Sequence, residues 1–177
     1  MPSMDGWLDQ YRGVAKSLGL YWKTYGGART LIRSPYLHAA AFLTVLIAIP
    51  MWNRAAFKEG WYDTCLTVVP SLLGFTLGGY AILMAFGDER FRRAISGPDP
   101  DGTPSPFMVV NAAFVHFIVI QAVSLLVALV SKAWEWKTGI AALVGLTLLI
   151  YAIFAALAAA LAILNLASWF DRYNPPQ

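Results

Sequence analysis

Two histidines, His38 and His116, and one cysteine, Cys65, are the side chains best suited to bind a metal, move a proton or attack a substrate. Their spacing supports none of these. Neither histidine has a carboxylate or second ligand three or four residues on, the separation that puts two metal ligands on one helix face. A lone cysteine forms no intrachain disulfide or zinc cluster. Cys65 reads as a buried thiol, or in the alternative as half of an intermolecular bridge. There is no nucleophile elbow, phosphate-binding loop or pair of carboxylates set for acid–base work. The sequence therefore supports no catalytic residue, cofactor site or metal site, and the chain is not expected to be an enzyme.

His116 keeps one further reading. It lies inside a long uncharged run, where an ionisable side chain is a functional candidate by default. It takes part in proton movement or gating, or it is a hydrogen-bonded packing residue. His38 falls near the edge of another such run and reads as interfacial. Asn111, His116 and Gln121 are spaced five apart, which puts them on different sides of a helix. With Ser124 they read as separate interhelical hydrogen-bond points rather than one polar stripe.

The runs that hold these residues decide the class of protein. Of 177 residues, 58% are apolar and 13% charged, against about 25% charged in a soluble domain. Ser34–Asn53, Thr64–Gly87, Gly102–Ser131 and Thr138–Phe170 contain no Asp, Glu, Lys or Arg. A helix needs about 20 residues to cross the ~30 Å hydrocarbon layer, so each run is long enough to span. A soluble enzyme, a nucleic-acid-binding domain and a disordered tail are excluded. No cleavable signal pattern precedes the first run.

The expected fold is all-α: a polytopic membrane protein with four transmembrane helices and an N-terminal amphipathic interfacial helix. The spans are expected at about 35–52, 63–86, 106–131 and 138–168, within a membrane domain of residues 34–170. Ser34–Pro35 and Ser105–Pro106 each provide an N-cap and a first-turn proline. The fourth helix is long enough to tilt or protrude. Residues 1–33 precede the spans, and 171–177 form a short tail. In the N-terminal segment Trp7, Tyr11, Val14, Leu18, Tyr21 and Tyr25 share one helix face, stopped by Gly26–Gly27. That face lies in the headgroup layer, or packs on the spans or a neighbouring subunit. The middle loop, Asp88–Ser105, has the turn chemistry of a mobile connection around Gly97–Gly102.

Basic residues set the orientation. Nine fall on one side, with Arg90, Arg92 and Arg93 as cytoplasmic anchors in the middle loop. Four fall on the other: Arg54, Lys58, Lys132 and Lys137. Both termini are expected in the cytoplasm, with a bacterial inner membrane as the location. The net charge of +3 needs no nucleic-acid partner, because the basic residues cluster beside the spans.

The second span is the most informative. Pro70, Gly74 and Gly78 recur every four residues and form a narrow close-packing ridge. Pro70 frees a backbone carbonyl that Thr67 or Ser71 is placed to satisfy. Val69, Leu73 and Leu77 run beside that ridge. They form a hydrophobic constriction that gates by dewetting, or an ordinary apolar face. Alanines four apart in the last span, such as Ala152, Ala156 and Ala160, allow close backbone approach within or between subunits.

These residues carry a resemblance. A basic, aromatic N-terminal helix, a first span, the Trp61-Tyr62-Asp63 opening, Pro70 with Leu73, Leu77 and Gly78, and the Asp88-Glu89-Arg90-Phe91-Arg92-Arg93 ending resemble the first half of bestrophin-type anion channels. The resemblance covers about residues 20–95. It implies a pentameric anion channel with Val69, Leu73 and Leu77 at the pore neck. The family's Arg-Trp-Trp ending is absent, and about 18 residues stand where the family has a large cytoplasmic domain.

The expected function is an oligomeric integral membrane protein, a pentamer or tetramer, that forms or regulates an ion-conducting pore. The alternative is a non-conducting sensor or anchor subunit that recruits a cytoplasmic protein partner, for example in a bacterial defence system. The lipid bilayer is the constant partner in both, and no cofactor is implied.

Overall fold

The computed structural model of the chain describes residues 4–52, 60–85, 87, 89–97 and 101–173. Among these every regular element is an α-helix: α1 (Met4–Tyr25), α2 (Gly27–Ile32), α3 (Pro35–Trp52), α4 (Trp61–Ala85), α5 (Glu89–Ile95), α6 (Pro106–Ala133) and α7 (Gly139–Tyr173). Arg54 and Lys58 between α3 and α4, Asp88, residues 98–100 and the last four residues lie outside the described residues, as does the side chain of Arg92.

Three helices are long and apolar enough to cross a membrane: Trp61–Ala85, Pro106–Ala133 and Gly139–Arg172. The apolar run of α3, Pro35–Ile49, is shorter. Its 18 residues extend about 27 Å, just under the hydrocarbon thickness. So three candidate spans are established, and α3 is an apolar helix beside them. Phe42, Phe75, Ile82, Leu126, Ile140 and Leu164 are all exposed on the helix surfaces. That much open apolar surface suits a bilayer, where lipid covers it, and not water.

The helix ends follow local chemistry. The Ser105 side chain accepts the Met108 N–H at 3.3 Å and Pro106 occupies the first turn, which starts α6 without an orphaned donor. Gly26 (φ 95°) and Gly27 (φ 64°) adopt left-handed conformations that break the chain between α1 and α2. Beyond α6, Glu135 has φ 53°, a left-handed turn that sends the chain into α7 within a few residues.

Helices α4, α6 and α7 pack on one another as a three-helix centre. Helix α3 lies along α7, and α1 docks on α6. At one end Trp61, Tyr62, Cys65 and Val69 of α4 pack with Ala128, Leu149 and Ala152. The Trp61 indole donates to the Trp136 carbonyl at 3.2 Å, and Lys132 pairs with Asp63 at 2.8 Å. Gly145 packs closely on the Trp61 indole, and a β-carbon there would clash with three atoms of the ring. At the other end Leu83, Phe91, Phe114, Ala159 and Leu166 form a second cluster. Phe91 belongs to α5, so the middle loop is partly helical, with Phe91 edge-on to Phe170. Ala152, Ala155, Ala156, Ala158 and Ala159 are all buried, so those alanines serve packing inside the subunit.

Candidate functional site

His116 is 1% exposed, and its ring is held on every side. The Tyr21 hydroxyl lies 2.7 Å from Nδ1, and the Tyr151 hydroxyl 2.9 Å from Nε2. The Tyr25 ring stacks on the imidazole, with centroids 4.0 Å apart and planes 14° from parallel. A neutral imidazole has one N–H and one bare nitrogen. One tyrosine therefore donates to the ring while the other accepts from it. The two tautomers of the neutral ring correspond to the two opposite directions of the Tyr21–His116–Tyr151 hydrogen bonds. The arrangement can do two things. It can take either hydrogen-bond polarity, and it can latch α1 to α6 and α7.

Each partner is placed by its helix. Tyr21 and Tyr25 are one turn apart and project from the same face of α1. Tyr151 sits about a third of the way along α7. His116 is level with Tyr151 and with Ala40 of α3, which packs against Tyr151. Ala40 is only five residues inside α3, about 8 Å along its axis. The site thus lies near one end of α3, closer to the edge of the bundle than the position of His116 within α6 suggests. The phenol groups of Tyr21 and Tyr25 are raised above their ordinary value, first by burial and then by the neighbouring Tyr151 hydroxyl. Both stay protonated as hydrogen-bond donors through the physiological range.

Beside this cluster is a cavity of about 370 Å³. Tyr25 and Tyr151 form part of its wall, with Arg33 and Ser34 from the α2–α3 corner and Phe117 and Ala158 as its apolar floor. The corner is fixed by His38, whose Nε2 lies 2.7 Å from the Ile32 carbonyl oxygen.

The other polar residues of α6 do not form one stripe; Gln121 and Ser124 are interhelical points as expected, and Asn111 is not. The Gln121 amide donates to the Thr76 hydroxyl at 3.0 Å and to the Ala152 carbonyl at 3.4 Å. Ser124 meets the Cys65 thiol at 3.2 Å, and Cys65 is fully buried. Asn111 donates to the Phe107 carbonyl in its own helix.

The residues singled out on α4 divide between two faces. Val69 is 0% exposed among Cys65, Ala128 and Leu149, Leu73 is half-buried, and Leu77 is 47% exposed. A step of four residues rotates about 40° on a helix, so the row winds from the core to the outer surface. Pro70, Gly74 and Gly78 all lie on the outer surface, with open space over both glycines. Thr67 donates to the Asp63 carbonyl at 2.9 Å and not to the carbonyl freed by Pro70. In α5 Arg90 is exposed and Arg93 pairs with Glu89. Among the described residues no cluster of His, Cys, Asp or Glu is arranged to hold a metal.

Sequence reasoning found His116 but not its partners. Tyr21, Tyr25 and Tyr151 are apolar enough to count as face and span residues. The available signal was two tyrosines one turn apart on α1 and a lone histidine needing two partners. Comparison with family models, with curated proteins and with solved structures finds no match to this chain.

Proposed function

We propose that the chain is one subunit of a homo-oligomeric membrane protein that forms or regulates an ion-conducting pore, with α4 facing the shared axis. The observation that carries this reading is the outer face of α4. Pro70, Gly74 and Gly78 make an exposed ridge that no described residue covers, with Leu77 beside it. Small residues on an open face allow a second helix to approach closely in lipid. Leu77, and Leu73 at the margin, then ring the axis as an apolar constriction. Val69 supports the ring from within the subunit. The resemblance of residues 20–95 to bestrophin-type channels supports the same role for α4. In this reading α3 completes a four-span subunit, four or five subunits assemble, and both termini face the cytoplasm of a bacterial inner membrane. The test is current across a planar bilayer. Purified protein conducts, and Leu77→Ala changes conductance or gating; silence under all conditions contradicts a pore.

A second reading has its own support. Helix α1 is exposed from Trp7 to Leu20 and joined to the bundle through Tyr21 and Tyr25 at His116. That geometry suits a sensor or anchor whose α1 recruits a cytoplasmic protein and reports through the histidine. Retention of a defined partner by α1 in pull-downs, with no current, favours it.

A further inference from the structure

We propose that the cavity beside His116 binds the headgroup of an anionic phospholipid, one per chain. Four observations on the page converge there. The cavity, about 370 Å³, is within the range of about 300–1,000 Å³ typical of small-molecule sites. Its mouth carries Arg33, which makes no ion pair among the described residues. Its wall carries the Ser34, Tyr25 and Tyr151 hydroxyls, a connected polar cluster in which Ser34 and Tyr25 both hydrogen-bond to Tyr151. Its floor is Phe117 and Ala158, an apolar surface for the first carbons of an acyl chain.

Charge selects the ligand. From Gln10 to Lys58 the sequence contains no Asp or Glu, while Arg12, Lys16, Lys23, Arg29 and Arg33 precede the first span. No carboxylate of this segment competes for the guanidinium. The polarity runs from a cation at the rim to aromatic and methyl groups inside, which matches an amphiphile. A free anion would leave the apolar floor uncovered. Basic pockets between helices at a membrane boundary are suited to such headgroups.

The site has a built-in readout. Tyr25 and Tyr151 line the cavity and also touch His116. An occupant seated against both rings holds α1 against α6 and α7. Lipid binding therefore stabilises the docked position of α1, whether or not the protein conducts.

The test uses the full chain in detergent micelles, titrated with phosphatidylglycerol, phosphatidylcholine of the same acyl chains, or inorganic phosphate. Thermal unfolding and trypsin cleavage after Lys23 are followed. Phosphatidylglycerol raises the unfolding midpoint and slows cleavage, and the other two do not. Arg33→Gln weakens the apparent affinity at least about tenfold, the equivalent of one charge-assisted hydrogen bond. Arg33→Lys keeps most of the affinity, and Arg12→Gln keeps all of it. Equal effects of both lipids, an equal effect of phosphate alone, or an unaltered Arg33→Gln overturns the proposal. Should Arg33→Gln fail to fold, native mass of the wild type decides. One phosphatidylglycerol retained per chain, in preference to phosphatidylcholine, upholds the proposal, and no preference overturns it.

Discussion

At the residue scale His116 is the most demanding group in the bundle. Its two ring nitrogens each have one partner, so removal of either leaves a buried polar atom unpaired. Tyr151→Phe keeps the shape of the side chain but strips the partner from Nε2. It is expected to cost about 1–3 kcal/mol, measured as a lower unfolding midpoint in detergent. Tyr21→Phe acts in the same direction, and to a smaller degree because Tyr21 is only half-buried. Gly145 makes an independent case. Because Trp61 fills the space where a β-carbon would go, Gly145→Ala must displace a ring that is also hydrogen-bonded to Trp136. Overpacking of this kind costs about 1–3 kcal/mol. The same substitution at Gly78 meets open space and leaves the monomer's stability unchanged, which a parallel unfolding experiment checks.

At the element scale the question is what holds α1. Its first half is exposed, and Tyr21 and Tyr25 tie its last turn to His116 of α6 by a hydrogen bond and a ring stack. Replacing both residues by alanine is expected to speed trypsin cleavage at Arg12 and Lys16 several-fold while the α4–α6–α7 centre stays intact. The docking also depends on pH. Burial raises the phenol values of Tyr21 and Tyr25 in the folded chain above the ordinary value of about 10. Their contribution to folding is fully present below about pH 10 and is lost as pH rises through the folded values, because the unfolded chain releases its protons first. Ultraviolet titration of the eight tyrosines should show at least two ionising above the remainder, and Tyr25→Phe should remove one of them. The helix boundaries were largely legible from sequence, because runs without charge and Ser-Pro starts are local features. Helices α2 and α5 were not. Each is short, and α5 is held by Phe91 reaching Phe170 about 80 residues away, a contact that no local pattern contains.

At the scale of the whole molecule, sequence gave the class of protein but not the sides of its helices. A residue spacing of four was enough to mark Pro70, Gly74 and Gly78 as a ridge. It could not say that the ridge faces outward, since this depends on where α6 and α7 pack. The same spacing grouped Val69 with Leu77, although slow rotation along the helix puts one in the core and the other on the surface. The alanines of α7 show the converse. Their spacing was compatible with packing inside or between subunits, and the structure buries Ala152, Ala155, Ala156, Ala158 and Ala159 inside, with Ala160 half-buried. With the α7 alanines packed inside the subunit, the open ridge of α4 is the small-residue surface that the proposal assigns to a second copy.

Oxidative cross-linking tests that surface most directly. In a Cys65→Ala background, Gly78→Cys introduces a thiol on the open ridge, and Phe42→Cys introduces one on the exposed side of α3 as a control. The account predicts that oxidation in native membranes joins Gly78→Cys chains into species heavier than the 19.4 kDa subunit, while the control stays single. Uncross-linked Gly78→Cys chains, together with a monomer mass for the wild type in mild detergent, would contradict it.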